Sequence, residues 1–97
     1  MRKKNTESIG EVLSQFFSEN EVFQKKLGEN RILNGWEELL GASIASYTTN
    51  LYIRNSILHV HVSSSVLRSE LIINRHNLVK KLNKHAGMEV IKDIVFR

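Results

Sequence analysis

The sequence predicts a two-layer α+β domain in which helices pack on one face of a three-stranded mixed sheet. Apolar residues follow a helical spacing as far as Thr48 and then alternate with polar residues, as they do in β-strands. One long helical pattern and one short strand pattern complete the chain. The predicted order is therefore α-α-β-β-α-β, and 97 residues suffice for one hydrophobic core but not for two.

The first helical pattern is an apolar stripe that begins at a capping box, Ser8-x-x-Glu11. We expect residues 1–7 to form a flexible N-terminus and residues 8–97 to form a single domain. The stripe comprises Ile9, Val12, Leu13, Phe16 and Phe17.

Two further helical patterns follow in the first half of the chain. A second capping signal, Ser18-x-x-Glu21, precedes a short helical turn that we expect to stop at Gly28. The next pattern predicts a helix over residues 29–40. Gly41 then allows a bend, and one more short turn completes the helical half.

A β-hairpin is predicted after Thr48, because apolar and polar residues alternate on both sides of Asn55 and Ser56. The turn lacks the favoured Asn-Gly pair, so its type stays open. The apolar members of the two strands are Leu51, Ile53, Leu58, Val60 and Val62.

The longest helix is predicted over residues 66–85, with an N-cap from the preceding serines and a stop at Gly87. A last strand is predicted over residues 90–96, with Ile94 and Phe96 pointing inward. The apolar side of the long helix comprises Leu67, Leu71, Ile72, Leu78, Val79 and Leu82.

The opposite side of this helix is basic. His76, Lys80 and Lys84 follow one another at intervals of four residues, Lys81 lies beside them, and Glu70 is the only acid of the helix. We name His76, Lys80, Lys81 and Lys84 the basic ridge. Such a row is typical of a surface that tracks the phosphates of a nucleic acid. The alternative is a solvated helix face whose C-terminal lysines complement the helix dipole.

Two arginines, Arg68 and Arg75, fall within the apolar side of the long helix. We expect their aliphatic stems to be buried and their guanidinium groups to form structural ion pairs or to reach solvent. Contact with an anion or a partner is the alternative, which keeps both arginines among the candidate nucleic-acid-binding residues.

The outward side of the hairpin is a second candidate surface. Tyr52, Arg54, His59 and His61 share this side, because residues two apart on a strand point the same way. We name these four residues the outer sheet face. Its aromatic and basic groups suit a single strand whose bases stack while its phosphates meet cations. The alternative is an ordinary exposed β-face, and we favour the basic ridge because it offers more permanent charges.

Several classes of function are disfavoured by what the sequence lacks. The absence of cysteine excludes disulfides, thiolate chemistry and zinc sites that need sulfur, and metal binding by His59 and His61 is disfavoured too. No phosphate loop, nucleophile motif or carboxylate pair is present, so we expect no enzyme, no cofactor and no small-molecule substrate. No signal peptide or membrane span is indicated, so we expect a cytoplasmic protein without membrane contact. For Trp36, core packing is predicted, with a partner-binding anchor as the alternative.

Positive charge is concentrated in the second half of the chain. The net charge is +4; residues 1–48 hold six Lys and Arg against seven Asp and Glu, and residues 49–97 hold eight against three. This asymmetry makes a polyanionic partner such as DNA or RNA a candidate.

Short motifs that agree in order and spacing run through residues 8–97. They are Gly35 to Gly41 (GWEELLG), Tyr47-Thr48, Leu58 to Leu71 (LHVHVSSSVLRSEL), Leu82-Asn83 and Asp93 to Arg97 (DIVFR). Together they resemble the DciA family, bacterial proteins that are implicated in loading or operating the replicative helicase.

The resemblance implies a K-homology-like fold, DNA binding and interaction with the hexameric replicative helicase. It therefore implies a non-enzymatic DNA-replication accessory protein. Longer members carry a C-terminal extension, whereas this sequence ends at Arg97, and the Gly-x-x-Gly loop of RNA-gripping K-homology domains does not occur. The residues leave two other functions open: a stand-alone nucleic-acid module that binds RNA, or a protein-interaction adaptor for an acidic partner.

Overall fold

In the computed structural model, which describes residues 9–12 and 20–97, helices cover one face of a mixed three-stranded sheet. The predicted α+β class and the order α-α-β-β-α-β are confirmed, and the C-terminal helix is divided in two. Residues 9–12 are helical as well. The remaining elements are α1 (Glu21–Leu40), α2 (Ala42–Ser46), β1 (Thr48–Arg54), β2 (Ile57–Val62), α3 (Ser65–Ile73), α4 (Arg75–Ala86) and β3 (Asp93–Phe96).

Strand β2 lies at the centre of the sheet, antiparallel to β1 and parallel to β3. The hairpin closes between Arg54 and Ile57. Asn55 and Ser56 have φ angles of 53° and 63°, and two successive positive values are typical of a type I′ turn. The turn type that the sequence left open is therefore one that matches the right-handed twist of the strands.

The hydrophobic core lies between the sheet and the helices. Ile94 and Phe96 are 1% and 8% exposed, which confirms the inward side predicted for the last strand. Trp36 is 3% exposed, and its Nε1–H donates to Thr48 Oγ1 over 3.0 Å, which confirms core packing. The remaining buried apolar residues are Ile32, Leu58, Val60, Val62, Leu71, Leu78, Leu82, Ala86, Val90 and Ile91.

Gly28 does not end a helix, and the stop predicted there is wrong. It lies inside α1, which begins after Asn20, whose side chain accepts a hydrogen bond from the Phe23 amide over 2.9 Å. A Cβ at Gly28 would lie 2.5 Å from Val90 Cγ2 and 2.9 Å from Met88 Sδ. Glycine is therefore needed here for close packing against the segment before β3.

The single long helix predicted for the second half is also wrong, because the chain breaks at Asn74 (φ −94°, ψ 11°) into α3 and α4. Its ends are as predicted: Ser64 accepts a bond from the Leu67 amide, and Gly87 (φ 76°) follows α4. Ile72 was expected to be buried but is 44% exposed. The reason is that α1 packs beside α4, whereas α3 contacts β2, β3 and α4.

Part of the N-terminal pattern lies outside the described residues, namely residues 1–7, the capping Ser8 and Ser18, and the apolar Leu13, Phe16 and Phe17. Ile9 and Val12 lie in the helical segment and are 79% and 48% exposed. Within the described ranges, no helix combines the length and the apolar character that a membrane span requires.

Candidate nucleic-acid interface

Helix α4 presents two different sides. Leu78, Leu82 and Ala86 lie one turn apart and are 6%, 0% and 0% exposed, where α4 packs on α1 and β3. Lys80 and Lys84 lie about 200° around the helix from Leu82, since each residue turns the helix by about 100°. All four residues of the basic ridge are exposed. The core therefore anchors α4 while its lysines face solvent.

The charge of the basic ridge is not neutralised locally. Helix α4 contains no acidic residue, and no ion pair in the described part of the chain involves a ridge lysine. Lys84 lies in the last turn, where it complements the helix dipole, and Arg31 Nη1 donates to the Ala86 carbonyl over 2.8 Å. Lys80 and Lys81 lie a turn earlier, so the end of the helix does not explain them.

The outer sheet face brings its aromatic and histidine rings together. Tyr52 lies opposite His59, and their rings stack with centroids 4.7 Å apart and planes 6° apart. His59 Nδ1 is buried and has no hydrogen-bond partner. Each ring of the pair therefore has one of its two sides covered by the other ring.

Arg97 lies beside the outer sheet face, although it was not among the predicted site residues. Its amide donates to the Val60 carbonyl over 2.8 Å, and its carbonyl accepts from the Val62 amide over 2.7 Å, so it continues β3 along β2. Alternation from the buried Phe96 places Arg97 on the outer side. The inward pattern predicted for the last strand contained the signal that could have found it.

Arg68 and Arg75 make contacts within the fold. Arg68 Nη2 donates to the Val62 carbonyl over 2.9 Å and connects α3 to the end of β2. Arg75 Nε lies 3.1 Å from Asp93 Oδ1, in a contact where the two side chains are 38% and 45% exposed. The Nε–H is not aligned with the carboxylate oxygen, so this contact is an ion pair and not a directed hydrogen bond. Both guanidinium groups therefore support a structural role.

The two candidate surfaces lie on opposite sides of the domain. The basic ridge projects from α4 away from the buried leucines, whereas the outer sheet face lies beyond the core, on the side of the sheet that no described helix covers. They are therefore alternative interfaces that separate variants can distinguish.

Comparison with models of known protein families gives a match over nearly the whole chain. The family model described as "Dna[CI] antecedent, DciA" matches residues 8–96. The chain belongs to the DciA family. DciA is related to the loaders of the replicative helicase, which supports a role as a replication accessory protein. No curated protein and no solved structure matches the chain.

In this DciA chain, Asn83 fixes α4 to the segment before β3. Its Oδ1 accepts from the Val90 and Ile91 amides over 2.9 and 3.0 Å, and its Nδ2 donates to the Ile91 carbonyl over 2.9 Å. Asn83 was not among the predicted site residues. Its place in the Leu82-Asn83 motif, as a polar residue beside an apolar one, is the signal that could have indicated this structural role.

The described residues of this DciA chain contain no group of three or more His, Asp and Glu side chains placed to hold a metal ion. His59 and His61 lie two apart on β2, and the stacked Tyr52 covers one of them. The chemistry that the described surfaces offer is therefore cationic and aromatic.

Proposed function

We propose that this chain is a non-enzymatic, cytoplasmic DNA-replication accessory protein. It binds DNA phosphates through the basic ridge and interacts with the replicative helicase. Membership of the DciA family supports the replication role. The observation that carries the DNA-binding part is that Lys80, Lys81 and Lys84 are all exposed on a helix that contains no acid.

The spacing of the ridge fits a phosphate chain. Lys80 and Lys84 are separated by about 6 Å along the axis of α4. Two phosphate steps of one B-DNA strand cover about 7 Å along the axis of the duplex. The buried leucines hold α4 rigidly, and Asn83 fixes its C-terminal half. The lysines can therefore bind without reorganising the fold.

The proposal includes a K-homology-like arrangement of residues 8–97 as one domain. The element order from α1 to β3 supports it, because two helices stand between the hairpin and the last strand. The junction between these helices is Asn74, and the sequence has no Gly-x-x-Gly there. Phosphate binding in this chain is therefore assigned to the lysines of α4 and not to a glycine loop.

The test is the triple change Lys80→Ala, Lys81→Ala and Lys84→Ala. Fluorescence anisotropy gives the affinity for single-stranded DNA, double-stranded DNA and RNA at several salt concentrations. Each lost phosphate contact lowers the slope of log affinity against log salt by about 0.7–0.9, so we expect a slope flatter by roughly 2–3.

The matched control removes the same charge elsewhere, by Lys25→Ala, Lys26→Ala and Lys92→Ala at three other exposed lysines. It should leave the slope nearly unchanged. Equal effects of the two triple variants would show that only net charge matters, and that result would contradict a specific ridge.

The outer sheet face is a second candidate for binding single strands, and the stacked Tyr52 and His59 rings favour it. Tyr52→Ala should then cost about 1–3 kcal/mol of single-strand affinity with little change in salt slope. Binding that neither Tyr52→Ala nor the ridge variant changes would instead favour an adaptor for an acidic protein.

The helicase interaction is tested by co-purification of the tagged chain with the host's replicative helicase after nuclease treatment. Retention of the helicase by both the wild type and the ridge variant would show that the helicase binds away from the ridge. Failure of the wild type to retain the helicase would contradict this part of the proposal.

A further inference from the structure

The outer edge of β1 carries backbone groups that no other strand pairs within the described part of the chain. Val60 accepts a bond from the Arg97 amide and therefore faces β3. Leu51 lies directly opposite Val60, so its own amide and carbonyl point away from β2. The same alternation places the amide and carbonyl of Ile53 at the edge. Two residues thus offer a set of donors and acceptors to another strand.

One of these outward groups has only a local acceptor. The Leu51 amide donates to the Asn50 side-chain Oδ1 over 2.9 Å. The Asn50 amide group covers the edge at this point, as polar residues commonly do on exposed edge strands. A partner strand could replace that bond once the Asn50 side chain rotates away.

A groove between α1 and β1 lies beside this edge. One cavity of about 490 Å³ lies at the start of β1, and another of about 390 Å³ lies at its end. Leu51 lines the first cavity with Leu33 and Trp36, and Ile53 lines the second with Val22. Leu51 and Ile53 are only half-buried, because α1 packs more extensively on α4 than on β1.

The two ends of the groove differ in charge. Among the described residues, Lys25, Lys26 and Glu29 line the end near Ile53, which is net positive, and Glu37 is the charged residue that lines the end near Leu51. A surface with a positive and a negative end complements itself when a second copy is turned by 180°.

We propose that the β1 edge is a self-association surface, on which a second copy of this chain adds its β1 antiparallel to the first. The two-fold axis passes through Tyr52. Leu51 of each copy then exchanges backbone bonds with Ile53 of the other. Lys25 and Lys26 lie at the same end as the second copy's Glu37. The two sheets become one, and the apolar grooves close over the new strand pair.

The register of this dimer can be tested with one introduced cysteine, because the natural chain has none. Tyr52→Cys places the two thiols opposite each other at a non-hydrogen-bonded pair, where Cβ atoms lie about 4.5–5.5 Å apart. Oxidation should give a disulfide-linked species of twice the 11.2 kDa chain mass. Circular dichroism of the reduced variant confirms that it folds.

The matched control is Arg54→Cys, which lies on the same side of the strand. In the proposed dimer its symmetry mate is four residues away along the strand pair, or about 13 Å, too far for a disulfide. Arg54 is more exposed than Tyr52, so random collisions would favour cross-linking at position 54. Faster cross-linking at position 52 supports the register, and equal or faster cross-linking at position 54 overturns it.

Sedimentation equilibrium tests the unmodified chain. The mass should rise with concentration toward the dimer, and Lys26→Glu should weaken association about tenfold. The double variant Lys26→Glu, Glu37→Lys should restore it, since the reversed charges again meet across the two-fold axis. A wild-type chain that stays monomeric up to about 1 mM would overturn the proposal, as would a double variant no tighter than Lys26→Glu.

Discussion

The two outer strands of the sheet, β1 and β3, differ in how well the helices cover their inward side chains. Beside β3, α3 and α4 pack closely, Asn83 binds the backbone of the preceding segment, and Ile94 is 1% exposed. Beside β1, Leu51 and Ile53 are half-buried along an open groove. The difference separates a strand whose inward side chains are buried in the core from a strand whose inward side chains border a groove.

The basic ridge lies on α4, the helix that packs on β3. Its lysines project from a helix whose other side is completely buried, so changing them should alter binding and leave stability nearly intact. Beside β1, by contrast, Leu51 and Ile53 support the strand and would also contact the proposed second copy. The comparison therefore predicts where stability and function can be separated by mutation.

The largest contrast is expected between Leu82→Ala and Ile53→Ala. Leu82 is 0% exposed, so its truncation leaves a cavity and should lower the free energy of unfolding by about 2–5 kcal/mol. Ile53 borders an open groove that water can fill, so its truncation should cost about 1 kcal/mol. Urea unfolding followed by circular dichroism measures both, and equal losses would show that β1 is covered as well as β3.

A smaller effect is expected at Asn83. Asn83→Ala removes three hydrogen bonds and leaves the amides of Val90 and Ile91 without their acceptor, which should cost about 1–3 kcal/mol. Asn77→Ala is the control, an exposed asparagine of the same helix, and should change stability by less than about 0.5 kcal/mol. If the two variants were equally stable, the Asn83 side chain would not be what anchors the segment before β3 to α4.

The smallest and most discriminating contrast is between two glycines of α1. Gly28→Ala would push against the buried Val90 and should destabilise by about 1–3 kcal/mol, less the gain of about 1 kcal/mol in helix propensity. The three atoms nearest to a Cβ at Gly35 all belong to the ring of the exposed His85, which can move, so Gly35→Ala should be neutral or slightly stabilising. Thermal unfolding measures both stabilities. A Gly35→Ala variant less stable than Gly28→Ala would show that the His85 ring is fixed and that Val90 is free to shift.

For the candidate site, the sequence was sufficient wherever position on an element was the question. The helical period placed Lys80 and Lys84 away from the leucines, and strand alternation placed Tyr52 and His59 on one side, as the structure has them. It could not show that Arg75 pairs with Asp93, because the two residues come from separate elements. It also could not show that the basic ridge and the outer sheet face lie on opposite sides of the core.

By itself the sequence determined the fold class, the hairpin, a serine N-cap within residues 63–65 and the stop at Gly87. These features depend on local backbone preferences and on the period of the apolar residues, which a single chain segment contains. Only the tertiary structure decided that Gly28 continues a helix, that Asn74 interrupts one and that Leu51 and Ile53 are only half-buried. A glycine can end a helix, or it can allow another segment to pack closely against the helix. The packed elements, and not the local sequence, determine which of the two occurs.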